Sequence, residues 1–316
     1  MAELDEKTLV AMDDIHEIGP EPWWREAWYF AFYDQKAQIG ATSYCGIFPN
    51  QERADLMFDI VRDERSAHRF FDLGLTIRKD VGKEREQLGP QSVEMIEAGK
   101  RWGWQFDHDG HAVNIEFEAT EPLFSWADAG ITMEQFDEAP SKHTDQAGRF
   151  RGNIIVGDER IEVDAIGMRD RMWGWGGRKD WLNYCMMWAP FEDGTIVNIS
   201  CMQFADGRVE LAGHITKDGK RSLIEQGRIV FNWDPDRWKS ITHIDSWVRD
   251  GLGREATLLS RPVAWIDTGN RWRHRYDNLL WSTGRHDMDG MTAYGCTAWS
   301  YMKRSDRPNG FEVGLD

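Results

Sequence analysis

Trp102-Gly-Trp-Gln-Phe106, Asp109-Gly110 and Val113-Asn-Ile-Glu-Phe-Glu118 follow one another closely and decide the fold class. Apolar and polar side chains alternate on both sides of the Asp-Gly pair, which is the pattern of strands with one buried face. Both residues of an Asp-Gly pair tolerate positive φ, as a tight turn between antiparallel strands requires. The stretch therefore predicts a β-hairpin.

The same pattern recurs in the second half of the chain, in the apolar-rich runs 196–204, 208–211 and 215. Asp-Gly pairs stand at 109–110, 193–194, 206–207, 218–219, 250–251 and 289–290. Short strands joined by such turns predict antiparallel meanders, so the fold class is predicted to be all-β with few helices. The sequence shows no fixed short repeat, which disfavours a propeller or a solenoid and favours two β-barrels or sandwiches.

Helical signals are few. Residues 90–101 could form one helical segment, with Pro90 in its first turn and Val93, Met95, Ile96 and Ala98 as its apolar positions. The polar stretch 137–147 contains Pro140 and is predicted to be a linker. It would divide the 316 residues into an N-terminal β-domain at 1–147 and a C-terminal β-domain at 148–316.

Composition limits the classes of partner. The chain has 54 acidic against 38 basic residues and a net charge of −16, which argues against nucleic acid and anionic membrane surfaces as partners. We find no apolar run long enough to span a membrane and no secretory signal at residues 1–17, so a cytoplasmic protein is expected. The four scattered cysteines, at 45, 185, 201 and 296, are predicted to be buried thiols.

The stretch Gly167-Met-Arg-Asp-Arg-Met-Trp-Gly-Trp-Gly-Gly177 brings charges next to large aromatic side chains. Such a mixture is typical of a polar spot in the wall of an apolar small-molecule site. In an extended strand Met168, Asp170 and Met172 share one face, and both arginines share the other. If the methionine face lines a cavity, burial raises the pKa of Asp170 above about 3.9 and makes it a candidate proton donor. Alternatively, Asp170 braces the motif through an ion pair with Arg169.

A second constellation lies at Thr242-His-Ile-Asp-Ser-Trp247, echoed by His274-Arg-Tyr-Asp277. His243 and His274 are candidate bases complementary to Asp170, because a histidine beside a carboxylate can exchange a proton near neutral pH. The side chains predicted to bind substrate are Trp173, Trp175, Tyr276, Trp247 and Arg169. The alternative is an outer sheet face on which His243 pairs with Asp245.

Other chemistry receives little support from the sequence. The cluster Asp107-His-Asp-Gly-His111 spans a predicted turn, where solvated side chains are more common than converging metal ligands, so no metal site is predicted. Phosphate-binding loops, a nucleophile elbow and a zinc helix are lacking in the sequence. No cofactor is therefore predicted. The 17 tryptophans suit a core and the lining of an apolar ligand site.

The residues also resemble a known family. Glu21–Glu26 and Trp28–Asp34 are similar to the opening of a bacterial group of tandem lipocalin-like proteins, in the superfamily of hydroxyneurosporene synthase and AttH. His143 and Gln146–Gly152 resemble the bridge of that group into its second domain. Residues 167–174 resemble its hallmark G-x-R-D-H-S-W-G, with arginine and methionine at 171 and 172, where histidine and serine are common.

The resemblance implies two tandem lipocalin-like antiparallel β-barrels that hold an apolar, often isoprenoid, molecule. It implies hydration, dehydration, isomerisation or cyclisation without a redox cofactor. The predicted function is thus a cofactor-independent lyase or isomerase for a terpenoid- or steroid-like substrate, with Asp170 as proton donor and His243 or His274 as base. The alternative is a non-catalytic carrier of a hydrophobic small molecule. A homodimer is compatible with either function.

Overall fold

The computed structural model describes residues 6–77, 85–126, 141–175, 181–237, 240–267, 278–301 and 309–315. The chain forms two compact units. One comprises Met1–Asp128 with Thr132–Gly177, and the other comprises Arg178–Asp316 with Ala129–Ile131. Each unit is built on one antiparallel sheet, and the prediction of two tandem lipocalin-like β-barrels is confirmed.

The first unit begins with helix α1 (Glu6–Asp13) and has a short 3-10 helix at Pro49–Gln51. Its strands are β1 (Trp24–Asp34), β2 (Ile39–Phe48), β3 (Arg53–Arg62), β4 (Arg65–Thr76), β5 (Arg85–Leu88), β6 (Gln91–Glu97), β7 (Arg101–His108), β8 (His111–Ala119), β9 (Phe124–Ser125), β10 (Ser141–Val156) and β11 (Glu159–Trp175). They pair in the order β4-β3-β2-β1-β11-β10-β8-β7-β6-β5, and β9 adds to β10.

The core of the first unit follows from alternation along its strands. Trp102, Trp104 and Phe106 on β7 are buried, while the residues between them are more exposed. The ring of Phe30 stacks on Trp104 at 5.2 Å between centroids, and Phe58 stacks on Phe106 at 3.7 Å. Strand β1 differs, because its side chains are buried on both faces. The sheet therefore has a second protected face, opposite the aromatic core.

The second unit has strands β12 (Trp181–Pro190), β13 (Ile196–Phe204), β14 (Val209–Lys217), β15 (Lys220–Trp233), β16 (Ile241–Asp250), β17 (Glu255–Asp267), β18 (Asn278–Met288), β19 (Met291–Tyr301) and β20 (Gly310–Val313). β12 pairs with both β13 and β19, and β14 pairs with β15, so the strands from β12 to β19 form a closed ring. β14 and β15 pair over four residues beside their turn, and beyond that point β20 pairs with β15 at Gly227–Val230. Ring closure and the added strand together protect the edges of these strands.

Turn chemistry explains the short connections. Asp109-Gly110, Asp218-Gly219 and Asp289-Gly290 each have positive φ at both residues and join neighbouring strands as two-residue hairpins. This conformation is the type I′ pattern, which matches the twist of antiparallel strands. The hairpin predicted at Asp109-Gly110 is confirmed.

Two local predictions are wrong. Residues 91–97 form strand β6, because Val93 enters the core and the segment pairs with β5 and β7. The predicted boundary between 147 and 148 falls inside β10, whose Ser141–Val156 pair along their length with β11. β11 in turn pairs with β1, which places residues 148–175 in the first unit. The units therefore divide near residue 177.

The four cysteines are buried free thiols, as predicted. Among the described residues, no helix combines the length and the apolar character that crossing a membrane would require.

Candidate functional site

Four neighbouring strands of the first unit bring polar side chains into one row. Asp145 on β10 lies opposite Asp170 on β11, Asp170 opposite Tyr29 on β1, and Tyr29 opposite Tyr44 on β2. Residues directly opposite one another in antiparallel strands project from the same face. This face is the one opposite the aromatic core.

His143 joins the row from β10. It precedes Asp145 by two residues and so shares its face. Its Nε2 atom lies 3.2 Å from Oδ1 of Asp145 and 3.3 Å from Oδ2 of Asp170. All three side chains are buried. Neither contact has ideal hydrogen-bond alignment, as expected when one N–H is shared between two carboxylates. We call these three residues the carboxylate–histidine cluster.

Neighbouring side chains hold the cluster in place. The indole N–H of Trp126 donates to Oδ2 of Asp145 at 2.8 Å, and its ring lies 4.2 Å from that of His143. Arg25 contacts the sulfur of Met172 at 2.7 Å, and its charge stabilises the ionised form of Asp170. A buried carboxylate needs such donors and charges, because burial removes its hydration.

Burial and charge set the protonation of the cluster. Burial alone would lower the pKa of His143, but the charges of Asp145 and Asp170 outweigh it and raise the pKa to about 9. Burial raises the pKa of Asp170, and the His143 charge partly offsets this effect. Burial likewise raises the pKa of Tyr44. At neutral pH the cluster therefore holds a proton on His143, next to a carboxyl group that favours protonation more than an exposed aspartate does.

The same three ligand atoms lie within 4.8 Å of one another, so His143, Asp145 and Asp170 could also hold a divalent cation. A cation must displace the Nε2 proton of His143, because only neutral imidazole coordinates a metal. The high pKa of His143 opposes that loss at neutral pH. The arrangement is therefore better suited to storing and moving a proton.

The arginines of the central motif have another role. Both point to the side of the aromatic core, where the guanidinium of Arg169 lies over Trp102 and that of Arg171 over Trp28. Arg169 forms a two-bond ion pair with Asp13 at the end of α1, at 2.8 Å for each bond. Arg171 pairs with Glu26 at 2.9 Å. The predicted alternation of the motif is correct, but Asp170 is braced by neither arginine.

This geometry corrects the substrate-binding role predicted for Arg169. Its guanidinium is buried and also donates to Gln146, so its donors are used within the protein. Trp173 is buried too, and its ring stacks on that of His16 with centroids 4.1 Å apart. The backbone of Trp175 ends β11, while its side chain lies outside the described part of the structure.

The second unit places the other predicted site residues. His243 is 34% exposed and lies 3.4 Å from Asp245, which is 56% exposed. Trp247 is on the same face of β16 and donates to Glu255 at 3.3 Å. This is the outer face, because Ile244 and Val248 point to the core. The alternative of a solvated face fits His243 better than a buried base does. His274 and Tyr276 lie outside the described residues.

The sequence analysis did not identify His143 and Asp145 as site residues, because the polar stretch around them was interpreted as a linker. The sequence did contain a signal for this pair. A strand places residues i and i+2 on the same face, so the spacing His143-x-Asp145 predicts two neighbouring side chains. Its convergence with Asp170 depends on the pairing of β10 with β11, which local sequence does not fix.

Comparison with known proteins identifies the family. Residues 10–303 match the family model described as a domain of unknown function, DUF7064. The chain belongs to this family. No curated protein matches the sequence.

Solved structures show the same fold at low sequence identity. An AttH-like protein (NE1406) from Nitrosomonas europaea has a TM-score of 0.69 at 12% identity, over 96% of this chain and 97% of that one. Kievitone hydratase from Nectria haematococca has a TM-score of 0.61 at 9% identity, over 94% and 95%. CghA, solved with Sch210972, has a TM-score of 0.58 at 12% identity, over 90% and 89%. At these identities the likeness extends to the fold alone.

Proposed function

We propose that this protein is a cofactor-independent lyase or isomerase that uses acid–base catalysis to hydrate, dehydrate or isomerise a hydrophobic, terpenoid- or steroid-like substrate. One observation carries the proposal: Nε2 of His143 lies between the buried carboxyl groups of Asp145 and Asp170. Groups whose burial and charged neighbours shift their pKa are typical of sites that transfer protons.

Dehydration illustrates the chemistry. The C–O bond of a substrate alcohol breaks while the leaving oxygen takes the Nε2 proton of His143. The neighbouring C–H bond breaks, its electron pair forms the alkene, and its proton goes to the carboxylate of Asp170. Water leaves, and Asp170 returns its proton to His143 across their 3.3 Å contact. Hydration is the reverse, and isomerisation returns the proton to another carbon of the substrate.

The surrounding side chains favour an apolar substrate. Tyr29, Tyr44, Met57 and Met172 lie on the face that carries Asp170, and all are buried. Aromatic and thioether groups pack against hydrocarbon and make few demands on polar partners. The fold is shared with a protein named as a hydratase, which is consistent with this class of reaction.

The proposal changes the partners that the sequence suggested for Asp170. Here Asp170 acts as the proton acceptor, and His143 replaces His243 and His274 as its complement. The partial exposure of His243 and its contact with Asp245 argue for this change.

A turnover screen with a matched variant tests the proposal. Purified protein is incubated with terpenoid and steroid alcohols and alkenes, and products that gain or lose one water, or isomerise, are detected by mass spectrometry and chromatography. Asp170→Asn should lower turnover by at least about 10²-fold with substrate binding retained. Asp59→Asn is the control, because Asp59 is also buried but contacts Ser66 and Arg69. It should leave turnover within a few-fold.

The screen also separates the enzyme from a carrier. Binding of these compounds without conversion by the wild-type protein would favour the non-catalytic carrier. Equal turnover by wild-type protein and Asp170→Asn would exclude the proposed role of Asp170.

A further inference from the structure

The interior of the second unit carries a polar patch that the proposed chemistry does not use. Ser260 on β17 lies opposite His286 on β18, and Ser282 on β18 lies opposite Thr297 on β19. These four side chains are fully buried. They share the inward side with Met288 and Trp299 of the core, because alternate residues of a strand face one way. A cluster of hydroxyl and imidazole groups is unusual inside an apolar barrel.

Part of this patch is satisfied within the protein. Oγ of Ser260 and Nδ1 of His286 are 2.8 Å apart, and the hydroxyl of Ser282 donates to the carbonyl of Thr283 at 2.9 Å. The Ser260 contact fixes the orientation of the imidazole ring, so its Nε2 atom points to a defined place. Burial lowers the pKa of His286 to about 4, against the smaller opposing effect of a backbone hydrogen bond with Cys296. The ring is therefore neutral at physiological pH.

Two atoms of the patch are left over. Oγ1 of Thr297 is buried and has no well-aligned hydrogen-bond partner within the described residues. Nε2 of His286 is buried too, and the Cys296 backbone that acts on this imidazole does not give it a well-aligned bond. Both approach Gly284, where an added methyl group would collide with Oγ1 and lie 2.8 Å from Nε2. A buried polar atom without a partner is destabilising, because it has lost its hydrogen bonds to water. Two of them at one place indicate a missing partner.

We propose that His286 and Thr297 form a binding site for one neutral polar group, a hydroxyl or a carbonyl, of an otherwise apolar small molecule in the second barrel. The side chains opposite the two residues in register are neutral: Ser260, Ala293, Ser282 and Met187. The charge of Asp287 also acts on His286, but that carboxylate is already paired with Arg261 and Arg285, so a neutral ligand group is favoured over an ion. With a donor and an acceptor available, the site can serve an alcohol or a ketone. It is independent of the carboxylate–histidine cluster.

Paired probes test this site directly. Binding of 2-naphthol and of naphthalene is measured by calorimetry with the full-length protein. The wild-type protein should bind 2-naphthol at least about fivefold more tightly, the equivalent of one net hydrogen bond. Thr297→Val should abolish this preference and leave naphthalene affinity within about twofold. Ser246→Ala is the control, because Ser246 is a buried inward-facing hydroxyl on β16 outside the patch, and it should keep the preference.

A second readout covers the case in which Thr297→Val fails to fold. The ¹⁵N resonance of His286 Nε2 in the wild-type protein should shift on addition of 2-naphthol and stay in place with naphthalene. Equal affinity for the two probes, an unchanged preference in Thr297→Val, or no binding of either probe would overturn the proposal. The turnover measured with Asp170→Asn does not enter this binding experiment, so each of the two proposals can fail without the other.

Discussion

Nε2 of His143 lies 3.3 Å from Oδ2 of Asp170 in a buried pair that joins two neighbouring strands of the first unit. Asp145 lies 3.2 Å from the same nitrogen, and Arg25 adds a positive charge near Asp170 from β1. The negative charges of both carboxylates stabilise the protonated imidazole, and the histidine therefore keeps its proton above neutral pH. A structural ion pair would need only one of them.

The first prediction concerns stability against pH. The pKa of His143 rises from about 6.5 to about 9 on folding. Protonated His143 therefore contributes its full share of the folding stability below about pH 6.5, and this share is lost as pH rises through 9. The raised pKa of Asp170 acts in the same direction at lower pH. Because of His143, the free energy of unfolding should fall by about 3 kcal/mol as the pH rises from about 6.5 to above about 9.

Urea unfolding followed across this pH range checks the effect. His143→Gln should be less stable at neutral pH, and its unfolding free energy should depend much less on pH. His243→Gln is the matched control, because that histidine is partly exposed, and it should keep the wild-type slope. The same slope in His143→Gln and the wild type would contradict the assigned pKa.

The second prediction tests the support for Asp145. Trp126→Phe removes the 2.8 Å indole hydrogen bond but keeps an aromatic ring beside His143. A charge-assisted bond to a buried carboxylate is lost, so the unfolding free energy should fall by about 1–3 kcal/mol. Trp247→Phe is the control, since its indole bond is exposed, and should cost less than about 1 kcal/mol. Equal losses in chemical denaturation would show that Trp126 acts only through packing.

The fold was predictable where the chemistry is local. Asp109-Gly110 and Asp289-Gly290 meet the backbone requirements of a hairpin by themselves, so the meanders could be inferred from them. Residues 91–97 were not predictable in this way, because Val93, Met95 and Ile96 suit a helix face as well as a strand. The core and the pairing with β7 decide in favour of the strand.

The site was predictable only in part, because it depends on long-range pairing. Asp170 was identified from its own surroundings in the sequence. Its partners His143 and Asp145 come from a segment that is polar when taken alone, and they reach Asp170 through the register of β10 with β11. His286 and Thr297 were missed for the same reason, since Gly284 and its neighbours give no local signal of burial.

The third prediction concerns the attachment of the N-terminal helix. Asp13 accepts two bonds from Arg169, one from the backbone N–H of Gly99 at 2.6 Å and one from the indole of Trp102 at 3.1 Å. Burial alone would raise the pKa of Asp13, but the Arg169 charge and the hydrogen bonds from Arg169, Gly99 and Trp102 together outweigh it and lower the pKa. Asp13→Asn leaves the arginine buried without a counter-charge and should cost about 3–5 kcal/mol.

Chemical denaturation of two variants checks this contribution. Glu159→Gln is the control, because the Arg62–Glu159 pair is 37% and 55% exposed and its loss should leave the unfolding free energy nearly unchanged. An equally small loss in Asp13→Asn would show that Arg169 finds another partner.

The fourth prediction concerns the histidine inside the second barrel. His286 is fully buried, with Ser260 beside Nδ1 and the charge of Asp287 nearby, and burial lowers its pKa to about 4. Its imidazole resonances should therefore stay constant between about pH 5 and about pH 8, where an ordinary histidine titrates near 6.5. NMR of ¹⁵N-histidine-labelled protein makes the measurement, and His286→Asn identifies the resonance by its disappearance. A midpoint between about pH 6 and about pH 7 would mean that water reaches the ring and that its Nε2 atom is already satisfied by solvent.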